Sequence, residues 1–320
     1  MAYGRWTDVP QSVKHQNIVE LVDLCRDESP YRYWVVMKFA PGGNLFERAL
    51  ERFKGGGFTE KEVAKMISDV LFACQHMHER RIVHCDLKPE NILCVSNEPD
   101  ANLCVTDFGL AQFCVNAKVG KYHGTLDYMA PEIIEDDSSR SYDTKADVWS
   151  VGCLMYVLLC GCLPFRKNGP NKSLADQERS DFLTKCHIKT GEVEMNRPPW
   201  PQISDAAKTL LRRMLSKDPA QRPSAAECLK DHWFRMASGE VIHGGDRVRP
   251  QARRAQDCSL DRDCVRARVQ VLESLRELNR RRAESVRASP PLSTTSARRG
   301  IGRGSGLAET GAIAAPALAV

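Results

Sequence analysis

The stretch His84-Cys85-Asp86-Leu87-Lys88-Pro89-Glu90-Asn91 decides the fold, because Asp107-Phe108-Gly109 and Ala130-Pro131-Glu132 follow it in order. It places a carboxylate, an ammonium and a side-chain amide close together in the chain. Transfer of a phosphoryl group from a nucleotide needs these parts and little covalent help. On this reading Asp86 accepts the proton of the attacking hydroxyl, Lys88 lies near the transferring phosphate, and Asn91 binds a metal ion through its amide oxygen. Asp107 supplies the carboxylate for the metal that bridges the terminal phosphates, since Mg2+ prefers hard oxygen ligands and takes few from a protein. Phe108 is expected to pack beneath it. Asp-Phe-Gly alone recurs by chance. An eight-residue match followed in register by Asp-Phe-Gly, Ala-Pro-Glu, Asp147-Val148-Trp149-Ser150 and Arg222-Pro223 does not.

The neighbouring segments supply a frame for this loop. Ile18 to Cys25 and Tyr33 to Phe39 are rich in β-branched and aromatic residues and read as an antiparallel strand pair. Pro41-Gly42-Gly43 breaks the second strand, Asn44 caps a short helix to about Phe53, and Gly55-Gly56-Gly57 ends it. Thr59 and Glu62 form a capping box ahead of Val63, Ile67, Val70, Leu71, Cys74 and Met77, which predicts a helix to about Arg80. Cys94-Val95-Ser96 and Leu103-Cys104-Val105 read as a hairpin that brings Asn91 and Asp107 together. From Ala146 to Leu163 nearly every face is apolar, so that helix must be buried on all sides. Ser204 opens another helix, and Ser224 with Glu227 gives a second capping box.

At 320 residues with 42% hydrophobic content the chain can bury a large core. It has no apolar run of about 18 residues and no signal-like start, so neither a membrane span nor secretion is expected, and an intracellular, cytoplasmic location follows. Its 13 cysteines include no CxxC pair, which argues against zinc and for reduced thiols. The net charge of +5 is uneven: residues 237–320 hold 15 Arg against 9 acidic residues, and no Lys follows Lys230. A domain boundary near Met236 follows.

From about His15 to Phe234 the chain resembles a protein kinase of the calcium/calmodulin-dependent group. His15-Gln16-Asn17-Ile18-Val19 is similar to that family's entry to its fourth strand, and Val35-Val36-Met37-Lys38-Phe39-Ala40 to its hinge. The resemblance implies an α+β fold with a mostly helical C-lobe and only a remnant of the β-rich N-lobe. It divides the chain into an atypical segment 1–14, N-lobe remnant and hinge 15–40, C-lobe 41–236 and basic tail 237–320. It implies Mg2+ and ATP as cofactors, with Met37 as gatekeeper, Lys38, Phe39 and Ala40 against adenine, and Leu93 as the floor beneath the base. Asn44 replaces an acidic residue that commonly touches ribose and basic substrates, while Glu90 is kept. Gly124-Thr125 with Lys88 resembles the Ser/Thr class, so the implied partner is a protein with a Ser or Thr acceptor. Thr125 would then be a partner of the catalytic loop, Asp147 would brace that loop, and Glu132 would pair with buried Arg222.

The pattern also departs from the family. The glycine loop and the phosphate-pairing lysine belong well before His15, and fourteen residues leave no room for them. Tyr3 to Val13 looks foreign to the fold, and family spacing puts a proline, Pro10, inside the expected helix. An incomplete gene model of an active enzyme, a pseudokinase and a genuine truncated product all remain open. Retention of Asp86, Lys88, Asn91 and Asp107 favours the first. Cys85 stands where many kinases have a phosphate-binding arginine, and its bland reading is a small buried thiol. With only Tyr122, Thr125 and Tyr128 as hydroxyls between Leu110 and Ala130, phosphorylation there is not expected to switch activity.

In the tail, Val265, Val269, Leu272, Leu275 and Leu278 recur among many Arg, a basic amphipathic pattern over 261–287. The resemblance makes it an inhibitory or calmodulin-binding segment; the residues alone read as a solvated helix without bulky anchors. No calcium loop is present. No aromatics are interleaved with the arginines, so nucleic acid is not an expected partner.

Overall fold

A computed structural model describes residues 13–26, 33–114, 124–134, 143–166 and 174–238, with Glu273 and Glu277 beyond them. The two β-rich segments pair as read: β1 (Leu21–Arg26) runs antiparallel to β2 (Tyr33–Met37), with Leu24 opposite Val35 and Cys25 opposite Trp34. The first strand begins at Leu21 rather than Ile18, because Ile18 bridges Val105 instead. There the chain is stitched to the helical body. Val19 N–H donates to the Val105 carbonyl, Val105 N–H to the Asn17 carbonyl, and the buried Asn17 amide to the Leu103 carbonyl.

At Gly42 the break after β2 lies so close to its neighbour that a Cβ would stand 2.1 Å from the Ser96 carbonyl oxygen. Asn44 then caps α1 (Leu45–Lys54), its Oδ1 accepting from Glu47 N–H at 2.9 Å, and Gly55 closes the helix. The capping box opens α2 (Glu60–Glu79) as expected. Thr59 Oγ1 accepts from Glu62 N–H while the Glu62 carboxylate takes Thr59 N–H.

Two short ladders follow from this point of the chain. β3 (Ile82–Val83) pairs with β6 (Gln112–Phe113), and β4 (Ile92–Cys94) with β5 (Leu103–Val105). The hairpin is therefore the one expected but slipped toward its N-terminal end, since Cys94–Ser96 was to be its first strand. Ile92 and Cys94 are fully buried, and that burial fixes the register; Val95 keeps one ladder bond, to the Asn102 carbonyl.

After α3 (Pro131–Ile134) comes α4 (Lys145–Cys160), in which every residue from Ala146 to Cys160 is buried. It stops three residues short of Leu163, where Gly161 takes φ 74°. Trp149 is 0% exposed and stacks on Phe165 at 5.2 Å, and burying such a side chain contributes roughly 3 kcal/mol. Lys217 covers both rings at 4.0–5.0 Å.

The sequence reading gave no helix for α5 (Leu174–Thr190). α6 (Asp205–Met214) and α7 (Ala225–Leu229) start at the expected caps, Ser204 and Ser224, and α8 (His232–Ser238) follows. Glu60 in the first turn of α2 accepts from Ser204 N–H (2.8 Å), Ser204 Oγ (2.7 Å) and the Trp233 indole (2.9 Å). Segments 1–12 and 115–123, including Tyr122, and most of the tail lie outside the described residues; of the helix expected at 261–287 only Glu273 and Glu277 are described, both helical. Among the described residues no helix is long and apolar enough to cross a membrane. None of their eleven cysteines is in a disulfide.

Candidate active site

β3 delivers the chain into the loop that carries Asp86. Arg81 and Cys85 hold positive φ values of 57° and 68°, conformations that non-glycine residues rarely adopt. The backbone is pinned by Asp147 in the first turn of α4. Its Oδ1 accepts from Cys85 N–H at 3.1 Å, and its Oδ2 accepts from His84 N–H and from the His78 ring of α2, both at 2.9 Å. Burial pushes the Asp147 pKa up, but the hydrogen bond and charge of His78 and the His84 amide outweigh it and hold the carboxyl below its usual range.

Two consequences can be measured. Asp147→Asn cannot accept all three donors and should lose about 1–3 kcal/mol in urea denaturation at neutral pH. Because the folded pKa lies below the unfolded one of about 3.9, the carboxylate's contribution is complete above that pH and is lost as pH falls through the folded value. The gap between the two proteins should therefore close on acidification.

His84 is fully buried and orients the same loop. Its Nδ1 accepts from Asp86 N–H at 3.3 Å and its Nε2 lies 2.9 Å from the Thr106 carbonyl, which fixes the Nε2–H tautomer. Phe108 packs against the His84 ring at 5.1 Å and is 1% exposed.

Four site residues meet at the Asp86 carboxylate, which is 9% exposed. Oδ2 accepts from Lys88 Nζ at 2.8 Å and Asn91 Nδ2 at 3.0 Å. Oδ1 accepts from Thr125 N–H at 2.9 Å and from Thr125 Oγ1 at 3.1 Å, and Lys88 Nζ also reaches Thr125 Oγ1 at 3.0 Å. Gly124 makes this approach feasible: at φ 120° it brings the chain so near that a Cβ would stand 2.8 Å from the Cys85 carbonyl oxygen.

Asn91 spends its amide hydrogens on the Asp86 carbonyl and carboxylate, which leaves its Oδ1 without a hydrogen bond among the described residues. Asp107 arrives beside it because β4 and β5 pair and Thr106 N–H donates to the Asn91 carbonyl. Its backbone is left-handed (φ 62°, ψ 73°) and its Oδ1 accepts from Gly109 N–H, so Oδ2 remains. Two hard oxygens at one end of a hairpin fit Mg2+, which completes its shell with phosphate and water. Among the described residues no group of three His, Cys, Asp or Glu could hold a metal ion alone.

Of the residues expected at adenine, Leu93 lies in this hairpin and Met37 touches the residue that follows it. Thr106 Oγ1 contacts Met37 Sδ at 3.8 Å, Asn44 bridges Leu93, and Cys94 N–H donates to the Gly43 carbonyl. The Lys38 carbonyl and Ala40 amide make no hydrogen bond among the described residues. Phe39 is 84% exposed. Asn44 uses its side-chain oxygen on the α1 cap, and Glu90 is half-buried in the turn Pro89–Asn91. Cys85 is half-buried rather than fully buried. A cavity of about 630 Å3 lies elsewhere, against β1 between Val13 and Leu24, and none of the Asp86 cluster lines it. Sequence reasoning missed His78 and the tautomer role of His84; His78 shows locally only as the polar end of an amphipathic helix.

A family model described as protein kinase domain matches residues 5–234. The chain belongs to the protein kinase family. The kinase domain is 35% identical over 238 residues to calcium/calmodulin-dependent protein kinase type 1B of Homo sapiens, covering 74% of this chain and 63% of that one. It is 35% identical over 233 residues to calcium/calmodulin-dependent protein kinase cmkA of Emericella nidulans (72% and 52%). It is 39% identical over 227 residues to serine/threonine-protein kinase DCLK3 of Mus musculus (71% and 26%). The chain thus spans less than two thirds of each relative's length. The α+β architecture read from the sequence is that of a protein kinase domain.

Proposed function

We propose that this kinase domain transfers the terminal phosphoryl group of ATP to a Ser or Thr hydroxyl of a protein substrate. The observation that carries the proposal is the Asp86 carboxylate, held by Lys88, Asn91 and Thr125 beside the open oxygens of Asn91 and Asp107. Asp86 orients the hydroxyl and takes its proton; Lys88, tied to both Asp86 and Thr125, presents an ammonium to the transferring group. Bound Mg-ATP supplies the phosphoryl group and neutralises its charge, with Asn91 and Asp107 as protein ligands of the metal. Met37, Lys38, Phe39, Ala40 and Leu93 receive the adenine, and Asn44 and Glu90 border the ribose and substrate side.

In this reading β1 and β2 are the hinge side of the N-lobe. Two relatives carry calcium and calmodulin in their names, which with the basic pattern at 261–287 supports a calmodulin-type partner for the tail. The test is incubation of the purified chain with radiolabelled Mg-ATP and a generic protein substrate. Label on Ser and Thr that disappears in Asp86→Asn supports the proposal. Label only from a form extended by a glycine loop and lysine before His15 assigns the phosphate cover to that segment. No label from either, with no nucleotide binding, replaces it by a scaffold role.

A further inference from the structure

Arg166 follows the apolar run Leu163-Pro164-Phe165 and is nearly buried, its side chain 8% exposed. Its Nη1 donates to Asp127 Oδ2 at 2.8 Å, and the Asp127 side chain is 3% exposed. Its Nη2 reaches Asp181 Oδ1 on α5 at 3.4 Å. A carboxylate as buried as Asp127 stays charged and in place only where a cation and hydrogen bonds replace its water.

Asp127 is the middle residue of the turn Leu126–Tyr128, all three of whose residues are buried. Thr125 immediately precedes that turn and its carbonyl accepts from Tyr128 N–H at 3.0 Å. The far end is held when Ser150 Oγ donates to the Tyr128 carbonyl at 2.8 Å. The turn is thus fastened at one end by α4 and at its centre by Arg166, and its leading residue delivers both an amide and a hydroxyl to Asp86.

We propose that Arg166 is a positioning residue for phosphoryl transfer: paired with Asp127, it holds the turn that sets Thr125 against Asp86 and Lys88, and through Asp181 it ties that turn to α5. The guanidinium fork suits the task, since its two arms serve different carboxylates in fixed geometry. The catalytic consequence rests on the kinase reading; the positioning itself does not.

Hydrogen exchange on the full chain separates the two. In Arg166→Met the Thr125 amide, which donates to Asp86, should exchange at least about tenfold faster while amides of α4 are unchanged, because the turn loses the guanidinium that fastens its centre. In Arg166→Met with Asp127→Asn no charge is stranded, and the Thr125 rate should return to within about threefold of the parent. In the active enzyme Arg166→Met should lower kcat about tenfold or more with the KM for ATP unchanged. Should Arg166→Met not fold, Arg166→Gln, which also removes the charge and keeps a polar side chain, carries the same comparison. An unchanged Thr125 amide, equal acceleration throughout α4, failure of the double variant to recover, or an unchanged kcat overturns the proposal. If the parent chain transfers no phosphate, the exchange rates alone decide the positioning role and only the proposed function fails.

Discussion

Asp86→Asn should lower kcat about 10^2–10^4-fold, the largest loss expected from any single exchange in this domain. The proposed base is aimed by its surroundings: four donor contacts, from Lys88, Asn91 and two groups of Thr125, converge on its two oxygens. An asparagine has one acceptor to offer. If its oxygen faces Thr125, its NH2 meets the Asn91 amide and the Lys88 ammonium, donor against donor; the opposite flip confronts the Thr125 amide. The variant therefore loses both proton acceptance and alignment. Nucleotide affinity should change little, because the adenine and metal contacts involve other residues. Steady-state kinetics with a separate nucleotide-binding titration checks this. A variant retaining a tenth of the parental kcat would remove Asp86 from the chemistry.

Arg222→Met should cost about 3–5 kcal/mol, a drop in Tm of about 6–20 °C for a domain of this size. Arg222 is fully buried, and four of its five guanidinium N–H groups are used within the protein. It donates to Glu132 Oε1 at 2.7 Å and Oε2 at 2.9 Å, to the Lys145 carbonyl at 2.9 Å and to the Ser216 carbonyl at 3.0 Å. The Lys145 ammonium in turn contacts the Arg222 carbonyl, and the Trp149 ring lies 5.2 Å from the guanidinium carbon. Removing the arginine strands a Glu132 carboxylate in an apolar site. A double variant, Arg222→Met with Glu132→Leu, removes both charges and should recover much of the loss. Calorimetry on the single and double variants decides the matter. Equal destabilisation in both would show that packing, not the stranded charge, dominates.

What could be read from the chain, and what could not, divides by the distance between partners. The caps at Asn44, Thr59, Ser204 and Ser224 were legible because cap and partner lie three residues apart. The catalytic loop was legible because its residue types match one chemistry in one order, and the roles of Asp147 and Glu132 came with the family resemblance. The hairpin was found two residues out of register, since Cys94, Val95 and Ser96 all tolerate a strand and only burial of Ile92 and Cys94 chooses between pairings. α5 was not seen: its buried residues include Ser180, Thr184 and Ile188, while Phe182 is 65% exposed, so hydrophobicity carries no helical period there. His78 and Arg166 could not have been found, because their partners are 69 and 39 residues away and nothing near either announces them.

The three donors gathered by Glu60 say where this domain ends as a chemical object. The composition changes near Met236, but the last obligation of the first long helix is met by the indole of Trp233, 173 residues further along the chain. Until the ribosome has released that tryptophan, a carboxylate at the root of α2 lacks one of its counterparts.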